Sequence, residues 1–269
     1  MKIIRFSVYF NTLFYHNACV SMSKDIIVIK SIQLREFKEV HMFWNNKMKA
    51  LTFSYDDGVG QDERLVNIFN KYNLKCTFNL NSGIQTGANR FEKNNIDICR
   101  MNINKIIEVY KGHEIAVHSL THPHLEELDE ETIYNEIMQD KLNLERIFDT
   151  KIRGMAYPFG SYNETVIDIL KKCQIEYART VMDADNFDLQ DNLMELKGTC
   201  HHNHKDLMKF AKEFVELKSD KPQMLYVWGH SYEFDVDNNW KVIEEFCEYI
   251  SGREDIFYGT NEEVLLDRK

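Results

Sequence analysis

Two adjacent carboxylates close a run of strand-forming residues in Leu51-Thr52-Phe53-Ser54-Tyr55-Asp56-Asp57-Gly58. Asp-Asp-Gly is a turn signal that stops the strand. Two acids at a strand end repel one another, so folding alone gives no reason for the pair. A cation would explain it, as would a division of labour in which one carboxylate binds metal and the other moves a proton. Further on, His118-Ser119-Leu120-Thr121-His122 sets two imidazoles four residues apart. They can meet at one ion if the intervening turn is helical. Two histidines with one carboxylate make a catalytic zinc set that leaves a coordination position open. Spacing does not decide whether Asp56 or Asp57 is the ligand. The bland readings are an acidic turn and a histidine-rich surface loop, since the chain has 10 histidines, His113, His124, His201, His202 and His204 among them.

What tips the balance is where such residues fall relative to the elements that must carry them. From residue 49 onward, short β-rich runs alternate with longer helical ones. The predicted strands are 50–55, 75–78, 114–118, 154–157, 177–180, 223–228 and 256–259, and the predicted helices 62–72, 104–110, 129–148, 163–173, 206–217 and 238–251. Asn163 and Asn238 read as N-caps, and Asp129 followed by Thr132 as the start of a long amphipathic helix. Residues 81–101 are polar and irregular and read as a loop. Strand–helix alternation with crossovers of this length implies parallel pairing. Seven such units without a linker point to a closed or nearly closed barrel with helices outside; a doubly wound open sheet is the competitor. Pro123, Pro158 and Pro222 interrupt no predicted helix.

In a parallel barrel, chemistry gathers at the C-terminal ends of the strands. Here those ends carry Asp56-Asp57, His118 to His122, Tyr157-Pro158-Phe159-Gly160, Arg179-Thr180 and Trp228-Gly229-His230. Reactive residue types therefore converge on one rim.

Length and composition set the outer bounds. A chain of 269 residues suits one α/β barrel, expected over 48–269 behind an N-terminal extension, 1–47. The balance of 43% hydrophobic and 28% charged residues is globular, and the net charge of -10 argues against a nucleic-acid backbone as partner. Cys19, Cys76, Cys99, Cys173, Cys200 and Cys247 form no Cys-x-x-Cys pair and read as reduced thiols, which favours a cytoplasmic setting over a secreted one. The first twenty residues contain Lys2 and Arg5 and an apolar run broken by Asn11, His16 and Asn17. That run is too polar for a clean secretory signal and too short to insert in a membrane, and Met42 or Met48 could be the natural start. No protein partner is indicated.

Taken in order, Ser54-Tyr55-Asp56-Asp57-Gly58, His118-Ser119-Leu120-Thr121-His122, Tyr157-Pro158-Phe159-Gly160 and Trp228-Gly229-His230 resemble the successive motifs of the polysaccharide deacetylase superfamily, the NodB-homology or carbohydrate esterase family 4 type. The resemblance runs from about residue 49 to the C-terminus. It implies a distorted (β/α)7 barrel with parallel strands and helices outside. It also implies a hydrolase that takes N-acetyl groups, sometimes O-acetyl groups, from sugars with the help of a divalent metal, zinc being the expected ion. By that resemblance Asp56 is the general base, and Asp57, His118 and His122 are the metal ligands. His230 is the acid that protonates the leaving amine. Tyr157, Pro158, Phe159 and Gly160 line the substrate groove, with the N–H of Tyr157 or its neighbour as an oxyanion donor.

Departures from the pattern matter too. Many members carry an arginine four residues before the motif glycine, where this chain has Ala156. Arg179 is expected to replace it in holding Asp56 ionised, with Arg153 as the alternative. The aspartate that usually tunes the acid histidine is not evident, and Asp183, Asp185, Glu233 and Asp235 are its candidates. Residues 200–204 read as a groove lining or a helix cap rather than a second metal site, with His202 facing substrate. Trp228 and Tyr232 could stack on a sugar ring. The expected activity is N-deacetylation of N-acetylglucosamine-containing glycans. Hydrolysis of another amide, small or cyclic, and non-catalytic sugar binding are the alternatives.

Overall fold

The strand that ends in the aspartate pair, β1 (Lys49–Asp56), is buried along its whole length, as its aromatic and aliphatic content requires. It belongs to a computed structural model that describes residues 43–266, all within one compact unit, His41–Lys269. The expected N-terminal extension lies outside the described residues up to residue 42. The chain continues through α1 (Asp62–Lys71), β2 (Thr77–Leu80), β3 (Arg90–Lys93), β4 (Ile96–Cys99), α2 (Ile103–Val109), β5 (Glu114–Val117), α3 (Glu130–Phe148), β6 (Gly154–Ala156) and α4 (Glu164–Lys172). It ends with β7 (Tyr177–Asp183), β8 (Leu196–Gly198), β9 (Cys200–His201), α5 (Leu207–Glu216), β10 (Gln223–Gly229), α6 (Glu233–Val236), α7 (Trp240–Ile250), β11 (Ile256–Tyr258) and α8 (Asn261–Leu265).

Every pairing in the main sheet is parallel, in the order β8-β7-β6-β5-β2-β1-β10-β9. The two ends of that order, β8 and β9, are neighbouring pieces of one segment broken at Thr199. Thr199 donates to the Tyr226 carbonyl (2.7 Å) and accepts from the Asp185 N–H (3.0 Å). The sheet therefore curls until its ends meet in one stretch of chain. Counting that stretch once, seven positions go round it. This corrects the expected strand set: the place between β7 and β10 is filled by residues 196–201. The predicted strand at 256–259 is the short accessory β11 beside the first half of β1, whose second half pairs with β2.

Helix starts follow their capping chemistry. Asp129 accepts from the Thr132 N–H, Asn163 from Val166 and Asn102 from Lys105. Asn238 does not cap: its φ is 48°, and α7 begins after Asn239. Aromatic pairs such as Phe53–Phe69 and Phe78–Tyr110, with centroids 4.6 and 4.3 Å apart, fill the space between strands and helices. The stretch expected to be a loop, 81–101, contains the antiparallel hairpin β3–β4, turned at Asn94-Asn95 with φ of 50° and 64°. No helix among the described residues is long and apolar enough to cross a membrane.

Candidate active site

At the end of β1 the backbone reverses through two left-handed residues, Asp57 (φ 81°) and Gly58 (φ 63°). A Cβ at residue 58 would stand 2.2 Å from Gln85 Nε2, and that amide holds the Asp57 carbonyl at 2.8 Å. Only glycine fits there, and the reversal sends the two carboxylates to different partners. Asp56 accepts from Asn79 Nδ2 at 2.8 Å and from Arg179 Nη2 at 2.6 and 2.5 Å on its two oxygens. Burial works against its charge, but the Arg179 guanidinium and the nearby imidazoles outweigh it and hold the group at about 2. Asp57 is also held below its usual value against burial, by His230 and Arg100, whose Nη2 donates to Asp57 Oδ1 at 2.7 Å.

His118 follows β5. Its N–H meets the Leu80 carbonyl and the buried Asp140 carboxylate, and its Nδ1 lies 2.8 Å from the Ala156 carbonyl. That carbonyl fixes the proton on Nδ1 and leaves Nε2 with a lone pair. The turn to His122 is not helical, yet the two imidazoles still meet. Ser119 and His122, both at φ 64°, fold it back so that the two rings stand 4.8 Å apart. Burial lowers both imidazoles, His122 to about 4, so they are neutral near pH 7. One donor atom each from Asp57, His118 and His122 lie within 4.8 Å of one another. A carboxylate and two neutral imidazoles, one already locked in the right tautomer, suit a divalent cation.

His230 sits just past β10, its Nε2 3.7 Å from Asp56 Oδ2 and its Nδ1 3.4 Å from Glu233 Oε2. Burial opposes its charge, yet the nearby Glu233 carboxylate and the aspartates raise its pKa above the ordinary value. Glu233 also receives His201 Nε2 at 2.9 Å, which keeps its carboxyl well below the usual range despite burial. Of the four acids considered for this position, Glu233 is the one beside His230. Asp183 accepts from Trp228, Asp235 from Trp240, and Asp185 lies near His204.

These groups face a cleft of about 480 Å³ walled by Tyr157, Phe159 and Val181 on one side and Phe91, Arg100 and Tyr232 on the other. A larger hollow of about 770 Å³ opens around Glu114 and Glu262, at the opposite ends of the strands. Several expected groove residues take other places. His202 is fully buried, stacked on Phe234 and Tyr55, beneath Gly229, whose Cβ would strike its ring at 2.1 Å. His201 is the partly exposed member of that pair. Trp228 lies behind the site with Arg179 over its ring at 4.8 Å. Pro158 is buried, and Gly160 (φ 70°) lets the turn approach Val181, which a Cβ would meet at 2.3 Å. The Tyr157 N–H donates to the Arg179 carbonyl, so it is not a free oxyanion donor, and the next residue is a proline. Arg153 pairs with Glu176 and Glu262, away from Asp56. Sequence reasoning missed Arg100, Asn79, Phe91, Val181 and His201. The signal for the first and third was Asn94-Asn95 between two alternating runs, a hairpin pattern.

The polysaccharide deacetylase family profile matches residues 45–178. YlxY of Bacillus subtilis (strain 168), an uncharacterized protein, is 28% identical over 113 residues, 42% of this chain. The match spans about a third of that relative's length (31%). Among solved structures, the chitin deacetylase of the fungal pathogen Colletotrichum lindemuthianum superposes with a TM-score of 0.55 at 17% identity, over 84% of this chain and 90% of that one. The Xyl-CE4 domain of a multidomain xylanase from the hindgut metagenome of Trinervitermes trinervoides gives 0.51 at 16%, over 82% and 90%. A CE4 family pseudoenzyme from Bacillus anthracis gives 0.50 at 18%, over 82% and 66%. These likenesses establish the fold, an α/β sheet of parallel strands with helices outside. The family profile and the motif order lead to one statement: residues 45–178 match the polysaccharide deacetylase family, about half of the chain.

Proposed function

We propose that the chain is a divalent-metal-dependent hydrolase that removes N-acetyl groups from N-acetylglucosamine-containing glycans. The observation that carries this reading is the 3.7 Å approach of His230 Nε2 to Asp56 Oδ2, in the same cleft as the Asp57–His118–His122 donor cluster. A base and an acid placed side by side have no use in a protein that only binds sugar. Asp57, His118 and His122 would hold the cation, zinc being the expected one. When bound, it would polarise the acyl carbonyl and acidify a water beside it. Asp56, kept ionised by Arg179, takes the proton from the attacking water. His230, its imidazolium favoured by Glu233, gives a proton to the departing nitrogen, without which the amine is too poor a leaving group. Phe159 and Val181 opposite Phe91 and Tyr232 exclude water and offer apolar faces to the sugar ring.

The test is acetate release from chitooligosaccharides, abolished by a chelator and restored by zinc. Ammonia or a ring-opened product from small amides, with no acetate, would move the assignment to another amide hydrolase. Glycan binding without turnover at any metal loading would leave a binding module. The enclosing hairpin favours small substrates and keeps the second of these three in view.

A further inference from the structure

The turn from His118 to His122 adopts a conformation that its own sequence disfavours. Ser119 and His122 both sit at φ 64°, and neither is glycine. Two such residues in so short a stretch persist only where the surroundings hold them. One bond is of the turn's own making: the His122 N–H donates to Ser119 Oγ at 3.1 Å. The rest of its support comes from outside, and α3 supplies it along a single face.

Glu136 and Asp140 are one helical turn apart on α3, so their side chains share a face. The Leu120 N–H donates to the Glu136 carbonyl at 2.9 Å. Thr121 gives the Glu136 carboxylate two bonds, from its N–H at 2.8 Å and from its hydroxyl at 2.7 Å. Asp140 has no exposed surface. One of its oxygens accepts from the His118 N–H at 3.2 Å and the other from the Ser82 N–H at 2.7 Å. Asn143, next along the same face, donates to Ser82 Oγ at 3.1 Å. Through Ser82 the helix also fixes the neighbours that complete the grip. The Asn81 amide donates to the His118 and Ser119 carbonyls, and the Gly83 N–H to the Leu120 carbonyl at 3.0 Å. A Cβ at residue 83 would stand 2.6 Å from that carbonyl oxygen, so the approach needs glycine. Bonds from backbone N–H groups to carboxylates are of the stronger, charge-assisted kind.

We propose that Glu136 and Asp140 are positioning residues: through these two carboxylates α3 imposes the left-handed turn that brings the His118 and His122 imidazoles together. The grip is a property of the metal-free protein. Only its consequence for cation affinity rests on the reading of those imidazoles as metal ligands.

The experiment compares the full-length wild type with Glu136→Ala, Glu136→Gln and Asp140→Asn. Amide hydrogen exchange of residues 118–122 is followed on metal-free protein, zinc affinity is read by competition with a chelator, and urea unfolding records stability. In Glu136→Ala the Thr121 and His122 amides should exchange about tenfold faster, as expected for a lost charge-assisted bond. Zinc should bind about ten- to a hundredfold more weakly, the usual consequence of removing a group that orients a metal ligand. The metal-free unfolding midpoint should stay close to that of the wild type, because Glu136 is only half-buried and alanine favours the helix. Glu136→Gln keeps one acceptor oxygen and should recover part of both losses. Asp140→Asn sets an amide N–H₂ against one of the two backbone donors and should weaken zinc further; if it does not fold, the two Glu136 variants decide. Unchanged exchange in Glu136→Ala overturns the proposal, as does a lowered unfolding midpoint with zinc affinity intact, which would make the contacts structural only. A wild type that binds no zinc overturns the cation reading instead, and faster exchange in Glu136→Ala would still uphold the grip.

Discussion

Arg179 on β7 grips both carboxylate oxygens of Asp56 on β1, at 2.6 and 2.5 Å, although β6, β5 and β2 lie between their strands in the sheet order. The pair therefore crosses the interior of the curled sheet and does not run along a strand edge. Arg179 is fully buried and also bonds Ser54 Oγ and the Thr180 carbonyl, so its position is over-determined. The guanidinium that reaches Asp56 thus comes from β7, the strand paired with the one that carries Ala156.

Replacing Arg179 by glutamine should change both activity and stability. Without the guanidinium, burial is left as the dominant influence on Asp56, and its pKa rises from about 2. The acid limb of the kcat/KM profile then moves to higher pH, with the loss at pH 5 larger than the loss at pH 8. Because the folded-state pKa lies below the ordinary 3.8, the pair's contribution to stability is complete above that value and fades as pH falls toward 2. Breaking a buried pair from one side costs about 3–5 kcal/mol, measurable by urea denaturation at pH 7. An unshifted acid limb would separate Asp56 from the base role.

Glu233→Gln should act on the other limb. Burial by itself would lower the His230 pKa, and Glu233 heads the influences that raise it. With the carboxylate neutralised, the imidazolium is lost at lower pH, so the alkaline limb moves down and the rate at pH 8 falls about tenfold per pKa unit. The same raised pKa makes the His230 contribution to stability full below the ordinary 6.5 and lost as pH rises through the folded value. His201→Gln removes a 2.9 Å contact to Glu233 and keeps the carboxylate, so it should leave the alkaline limb near its wild-type position. A profile that drops in height without moving would make Glu233 structural.

Much of this site was legible because strand ends are legible. The positions of Asp56, His118 and His230 each follow from a β-rich run meeting a polar residue at the ends of β1, β5 and β10, whereas Arg179, expected at a strand end, lies inside β7, which runs on to Asp183. The residues around 200 were not legible for a reason of parity. In a strand, neighbouring side chains face opposite ways, so choosing His202 over His201 inverts what points at the cleft, and no local signal settles the register. Arg100 was missed differently. Its hairpin is short and polar, with three of the four β3 residues exposed, so hydrophobic periodicity is weak there. Phe91 and Arg100 acquire meaning only through Tyr232 and Asp57, which are distant in sequence.

Gly58→Ala tests whether the double reversal after β1 sets the cation site. The new Cβ would overlap Gln85 Nε2 at 2.2 Å, and residue 58 would remain at φ 63°. The left-handed conformation alone costs about 1–2 kcal/mol, and displacing Gln85 releases the Asp57 carbonyl it holds. The variant should unfold at lower temperature and bind zinc about tenfold more weakly, an affinity change read by competition with a chromophoric chelator. Full zinc affinity in a destabilised variant would show that the Asp57 carboxylate finds its place without the turn.

The cation site should also keep its affinity into acid. Zinc competes with protons for imidazole, so a pair of histidines with ordinary pKa values near 6.5 would lose about tenfold each between pH 7.5 and 5.5. Here burial has already pushed His122 to about 4 and lowered His118, so protons are weak competitors. One equivalent of zinc is expected to bind with an affinity that changes less than about tenfold over that interval. At a hundredfold excess over Kd it should add about 2.7 kcal/mol to stability, reversed by a chelator. Asp57→Ala and His118→Ala should abolish that gain, whereas Asp56→Asn should keep it while losing turnover. If Asp56→Asn also loses the zinc-dependent gain, the two aspartates have exchanged roles. If affinity instead falls a hundredfold by pH 5.5, the imidazoles titrate as exposed groups and the donor cluster is more open to water than its burial implies.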